Sequence, residues 1–260
     1  MLPEPLFLNV HMYGIMVAVG LLCAFGVLYY YGKRRRVNAG FLDFLFYDGV
    51  GSIAVGFASA ALFQAVYNFI EDPSRGFHFD GSITFLGGLI GGALCFLLAY
   101  AISKRWRKSG SLAEIFALLP CCITIAHAFG RVGCFFAGCC YGKAWDGIFA
   151  VKFPHLSYTV HPTQLYEATF LLLLFALLSL LYLKKGCIHN LSIYLVGYGI
   201  WRFFLEFLRG DHRGELVGSI SPSQFWSLLM VALGIALFFV MHYLYKASIE
   251  EKSEDLPAEE

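Results

Sequence analysis

Charged residues are scarce in this sequence: they make up 14% of its 260 residues, where a soluble globular domain carries about 25%. That deficit excludes an ordinary soluble domain, a charge-rich disordered chain and a collagen-like chain. Positive charge is equally thin, with 19 Lys and Arg against 18 Asp and Glu. The basic residues fall in short runs rather than along one face, so no nucleic-acid footprint is present. The first ten residues carry no Lys or Arg, and a cleaved signal peptide is not expected. What the chain does have is apolar surface: 58% of residues are hydrophobic and 17% aromatic, gathered in uninterrupted runs of about 20, the length that crosses a bilayer as a helix.

The spacing predicts an all-α integral membrane protein, a bundle of seven transmembrane helices over 12–31, 49–70, 82–103, 112–129, 162–183, 191–208 and 224–245. The fourth run is short and the sixth holds two charges, so six spans with a re-entrant segment is the competing count. Basic residues follow the first run (Lys33, Arg34, Arg35, Arg36), the third (Lys104, Arg105, Arg107, Lys108), the fifth (Lys184, Lys185) and the seventh (Lys246). By the positive-inside rule these alternate loops are cytoplasmic. The N-terminus and the segments 71–81, 130–161 and 209–223 are then expected on the outer face. The segment 246–260 has two basic and six acidic residues and reads as a disordered cytoplasmic tail following a 1–245 membrane domain.

Helix starts are signalled locally. Ser111 and Glu114 form an S-x-x-E capping box; Ser221, Pro222 and Gln224 give an N-cap, an N1 proline and an N3 partner; His161, Pro162 and Gln164 suggest a similar start. Gly87 and Gly91, and Gly88 and Gly92, make overlapping G-x-x-x-G pairs. These suit close helix packing in lipid, and Gly87 and Gly88 are also candidates to present backbone amides to a lipid headgroup.

Ionisable residues inside a bilayer are functional candidates because they are costly there. Arg202 and Glu206 are four residues apart, on one helical face, where each neutralises the other. Glu167 is a second intramembrane carboxylate. The run His127-Ala-Phe-Gly-Arg-Val-Gly-Cys-Phe-Phe-Ala-Gly-Cys-Cys-Tyr141 surrounds a single Arg131 with Gly130, Gly133 and Gly138. It is expected as a loop whose backbone approaches a ligand while one guanidinium grips phosphate. Asp211, His212 and Arg213, after Arg209, are a further candidate for anionic headgroups.

His11 through Gly14, Asp80-Gly81 through Phe85-Leu86-Gly87-Gly88-Leu89-Ile90-Gly91, Gly130-Arg131-Val132-Gly133, Gly138 through Gly142, His161-Pro162-Thr163-Gln164-Leu165-Tyr166-Glu167, and Gly197-Tyr198-Gly199 through Arg202, Glu206 and Arg209 occur in this order. The series resembles the motifs of the prolipoprotein diacylglyceryl transferase family across residues 11–240. The resemblance implies a seven-helix enzyme of the bacterial inner membrane that works toward the outer face. Such an enzyme moves the diacylglyceryl group of phosphatidylglycerol onto the lipobox cysteine thiol of a prolipoprotein, releasing glycerol 1-phosphate. No cofactor and no metal are expected. Carried over by position, Tyr13, Arg131, Arg202 and Glu206 are functional, and His161, Gln164, Tyr166 and Glu167 form the signature helix start, with Arg209 beside the substrate. Three departures stand out. Leu86 occupies the place of the family's motif histidine; Phe57 and Ala58 replace a Gly-Arg pair; and Cys134, Ala137 and Cys139 stand where the family has two Asn and a Glu. His127, one turn before Arg131, is the residue expected to supply the missing base.

Of eight cysteines, Cys23, Cys95, Cys121 and Cys122 lie in apolar runs and read as small hydrophobes. Cys134, Cys139 and Cys140 share the outer segment. Their C-x4-C-C spacing matches no common zinc pattern, yet His127, His155 and His161 in the same region leave a tetrahedral site open beside a disulfide, a reactive thiol or no special role. Three functions therefore compete. A phospholipid-consuming transferase leads. A membrane thiol oxidoreductase using the three cysteines, and a lipid-binding or transport protein that lost the transfer activity, are the alternatives.

Overall fold

The computed structural model describes residues 11–79, 84–106, 110–210 and 220–254. Among them are seven helices long and apolar enough to cross a membrane: α1 Met12–Arg34, α2 Ala39–Glu71, α3 Phe85–Ser103, α4 Leu112–Ala137, α5 Thr163–Lys185, α6 Asn190–Leu205 and α7 Pro222–Glu254. A short antiparallel pair, β1 Val151–Lys152 and β2 Thr159–Val160, sits in the segment between α4 and α5. Seven spans thus replace the six-plus-re-entrant count.

Chain contacts group the molecule into two units, 36–110 and the remainder. In the smaller, α2 and α3 pair along a small-residue seam. A Cβ on Gly88 would sit 3.2 Å from both the Gly56 carbonyl oxygen and the Ala60 Cβ, and one on Gly87 would press on the Phe63 ring at 2.7 Å. Ser59 donates to the Gly87 carbonyl at 2.8 Å and Thr84 to Gln64 Oε1 at 2.6 Å. Without a hydrophobic drive between helices in lipid, backbone proximity and interhelical hydrogen bonds hold such a pair. Gly87 and Gly88 are used in that packing. Leu86 lies at the start of α3, 36% exposed. Residues 80–83, which hold the Asp80-Gly81 part of the motif, and 211–219, which hold Asp211, His212 and Arg213, lie outside the described residues.

In the larger unit α4 packs against α1, α5 and α6, and α6 against α7. Both predicted capping boxes form. Ser111 N donates to Glu114 Oε2 at 2.9 Å with Glu114 N returning to Ser111 Oγ at 3.2 Å, and Ser221 with Gln224 does the same at 3.1 and 3.2 Å. The start of α5 differs from expectation. Gln164 and Thr163 turn away from the helix end and donate to the carbonyls of Cys139 and Cys140 at 2.5 and 2.8 Å. Those carbonyls sit in a turn just past α4, where the backbone has no helical partner.

Two helices outrun their predicted ends. α4 continues eight residues beyond 129 to Ala137, so Arg131 is helical rather than in a loop. Its glycines are spaced for a helix face, with Gly133 seated against Tyr13 and Met16 of α1. α7 continues into the charged tail as far as Glu254, a stretch without Gly or Pro to stop it. Within α4, Pro120 has no N–H for the preceding turn. Close by, buried Asn190 ties α4 to α5, donating Nδ2 to the Ala117 carbonyl at 2.9 Å and the Leu178 carbonyl at 3.1 Å.

Candidate active site

Because α4, α5 and α6 alternate in direction, the C-terminal ends of α4 and α6 meet the N-terminal end of α5, and the ionisable residues converge there. His127 and Arg131 lie one turn apart on one face of α4. Arg131 Nε is 3.1 Å from Glu167 Oε1 and also donates to His127 Nε2 at 3.4 Å. Tyr198 of α6 donates its hydroxyl to the same carboxylate oxygen at 2.6 Å. The His127 ring stands edge-on to the Tyr198 ring at 4.9 Å, and Tyr194 stacks on Tyr198 at 5.8 Å. Glu167 is 1% exposed, so its charge depends on such partners; an unpaired carboxylate at that depth costs several kcal/mol. An imidazole nitrogen that accepts from a guanidinium carries a lone pair, so this arrangement holds His127 neutral, with its proton on Nδ1.

A second centre closes α6. Arg202 Nη2 pairs with Glu206 Oε2 at 2.8 Å and donates to Ser223 Oγ at 3.1 Å, while Ser221 donates to Glu206 Oε1 at 3.1 Å. The backbone tightens into a 3₁₀ turn over Glu206–Leu208. The turn is anchored by Lys143 N donating to the Leu208 carbonyl at 2.8 Å and by pairing of Gly142 with Arg209. Arg209 Nε then lies 3.9 Å from Glu206 Oε2. Arg202 is 8% exposed, yet its Nη1 is buried without a hydrogen-bond partner among the described residues. The Arg202 charge also acts on His127 and Glu167, so the two centres form one electrostatic unit.

Past α4 the chain turns sharply. Gly138 adopts φ 72° and Cys140 φ 64°, left-handed values that are ordinary for glycine and unusual for cysteine. This brings the sulfurs of Cys134, Cys139 and Cys140 within 4.8 Å of one another, all as free thiols. Hydrogen bonds from the Cys134 and Cys139 thiols, then from Arg209, hold the Cys140 thiol well below the usual thiol range. Tyr13 packs on Gly133 and is within electrostatic reach of Cys134, Cys139 and Arg131.

The structure thus gathers Tyr13, His127, Arg131, Gln164, Glu167, Arg202, Glu206, Arg209 and the three cysteines at one end of this unit. His161 and Tyr166 turn elsewhere. The His161 ring stacks on Trp145 at 4.6 Å, and its Nδ1 meets the Tyr166 hydroxyl at 3.3 Å. Gly130 has open space where a side chain would be. Tyr198, Ser221 and Ser223 were not among the predicted site residues. The signal for Tyr198 was its spacing: Tyr194, Tyr198, Arg202 and Glu206 recur every four residues and make one polar stripe along α6.

A polytopic membrane protein with buried guanidinium groups at the ends of its helices, one of them holding a spare donor, belongs to the class that handles anionic lipid headgroups. The chain is a member of the prolipoprotein diacylglyceryl transferase family, whose profile matches residues 4–240. It is 34% identical over 241 residues to the phosphatidylglycerol–prolipoprotein diacylglyceryl transferase of Clostridium tetani, covering 89% of this chain and 93% of the relative. It is 32% identical over 246 residues to the second such protein of Clostridium perfringens, covering 89% and 91%. A Clostridium novyi relative of the same name is 32% identical over 263 residues, covering 95% of each.

Proposed function

We propose that this protein transfers the diacylglyceryl group of phosphatidylglycerol to the cysteine thiol of a prolipoprotein, at the outer face of the bacterial cytoplasmic membrane. The observation that carries the reading is Arg202. Its Nη2 is fixed by Glu206 and Ser223 while its buried Nη1 has no partner among the described residues. A guanidinium held on one side and unsatisfied on the other suits a phosphate oxygen, which accepts a charge-assisted hydrogen bond. Arg209, held by Glu206, supplies further positive potential nearby.

In the step itself, the acceptor sulfur forms a bond to the glyceryl carbon that bears the phosphate. The C–O bond to phosphate breaks, and glycerol 1-phosphate leaves with the electron pair. Arg202 stabilises the charge growing on the departing phosphate, the kind of preorganised contact worth about 10²–10³ in rate. The thiol proton needs an acceptor. Leu86 cannot take it, and His127, neutral and one turn from Arg131, can. For that role His127 Nε2 must exchange the Arg131 N–H for the thiol, leaving Arg131 on Glu167. Tyr13, on the α1 side of the same end, orders the headgroup. The names of the relatives favour this reading over thiol oxidation or lipid binding without turnover.

The test is direct. Purified protein is incubated with labelled phosphatidylglycerol and a lipobox peptide, with and without reductant. The reading predicts lipidated peptide and glycerol phosphate in equal amounts, and loss of both in Arg202→Gln. Intact lipid would overturn it, and glycerol phosphate without modified peptide would overturn the assignment of the acceptor.

A further inference from the structure

The proposed transfer leaves one cluster unused. Cys134 is on the last turn of α4, Cys139 and Cys140 are in the turn that follows, and their three sulfurs lie within 4.8 Å of one another. A tetrahedral zinc ion with Zn–S bonds of about 2.3 Å needs sulfurs about 3.8 Å apart, so closing this set on a metal takes shifts of under about 1 Å. Disulfide chemistry fits less well. Cys139 and Cys140 are adjacent, and their α-carbons, about 3.8 Å apart across a trans peptide, are closer than the roughly 4.4 Å minimum of ordinary disulfides. Pairing Cys134 with either neighbour leaves a third thiol over.

The surroundings place a cation beside the sulfurs. Arg209 hydrogen-bonds the Cys140 sulfur, placing a fixed positive charge where three thiolates on a divalent ion would carry a net negative one. Cys140 is in the left-handed region at φ 64°, a conformation unfavourable for a non-glycine residue, with its sulfur beside the other two. The turn is also clamped from outside, by Gln164 on the Cys139 carbonyl and Thr163 on the Cys140 carbonyl. The ligand set is therefore held by α4, α5 and the segment after α6 at once.

We propose that Cys134, Cys139 and Cys140 bind a zinc ion as three thiolates, with the fourth position left to solvent, and that this ion pins the turn joining α4 to the start of α5. Binding releases the remaining thiol protons to solvent and changes no oxidation state. The ion takes no part in the bonds made and broken in the transfer. Its role would be to hold Arg209 and the end of α4 in register, and to protect thiols facing an oxidising compartment.

The experiment uses the full-length chain in detergent. Zinc is measured by elemental analysis after purification without chelator, and the chelator-stripped protein is titrated with Co²⁺ alone while sulfur-to-cobalt charge transfer is followed in the near ultraviolet. The expected results are one zinc per chain, a charge-transfer band that saturates at one Co²⁺, and three thiols that become reactive only after stripping. Cys134→Ser, Cys139→Ser and Cys140→Ser should each weaken Co²⁺ binding by more than about 100-fold, beyond what loss of an outer partner costs, whereas Cys95→Ser should leave it unchanged. Wild-type protein that binds neither metal with all three thiols reduced and titratable would overturn the proposal. So would a disulfide within the trio whose reduction restores no metal binding. Because the wild-type titration stands alone, misfolding of a variant does not protect the idea.

Discussion

The two ionic centres differ in how completely their charges are satisfied. At Glu167 one carboxylate oxygen faces Arg131 at 3.1 Å, accepts from Tyr198 at 2.6 Å, and lies 3.9 Å from His127. At Arg202 the guanidinium is held on one terminal nitrogen while the other, buried, has no partner among the described residues. A saturated buried charge holds helices together, and a buried donor left unsatisfied is costly unless something pairs with it. Glu167 is accordingly the keystone of α4, α5 and α6, and Arg202 the proposed grip on substrate.

Breaking the saturated centre should have the largest effect. Glu167→Ala leaves Arg131 buried without its counter-charge and should cost about 3–5 kcal/mol of stability, seen as a large fall in the thermal midpoint in detergent; a variant as stable as the parent would refute the keystone role. Arg202→Lys keeps the charge but loses the second nitrogen. It should lower kcat/KM for phosphatidylglycerol about 100-fold, or about 2.7 kcal/mol, with the midpoint nearly unchanged. A matching loss of stability would erase the distinction between the centres. His127→Gln should reduce kcat by about 100-fold or more, as removal of a general base does, without weakening lipid binding, and full activity would place the base elsewhere. The smallest effect is expected of Ser221→Ala, which removes the α7 cap and a hydrogen bond to Glu206 and should cost about 1 kcal/mol in thermal unfolding.

Much of the architecture was legible because bilayer thickness imposes a length on apolar runs, and capping boxes such as Ser111 with Glu114 mark starts by short-range chemistry. The end of α4 was not. Gly130, Gly133 and Gly138 read as a flexible loop, but only Gly138 is in the left-handed region; Gly133 is small because Tyr13 and Met16 pack on it, a long-range fact. The pairing of Arg202 with Glu206 followed from spacing, since both partners lie on one helix. The Arg131–Glu167 pair joins two helices across 36 positions of sequence, which no local rule predicts. Gln164 reads as a capping residue and instead serves the turn holding Cys139, a contact 25 positions away in sequence that local spacing does not show.

The central claim is that Arg202 engages an anionic lipid phosphate, and lipid selectivity tests it most directly. Detergent-purified wild type and Arg202→Gln would each be titrated with phosphatidylglycerol and with zwitterionic phosphatidylethanolamine. The wild type should prefer phosphatidylglycerol, and the variant should lose that preference by about 10-fold or more, as expected for loss of a charge-assisted hydrogen bond. Equal selectivity in the two proteins would contradict the account.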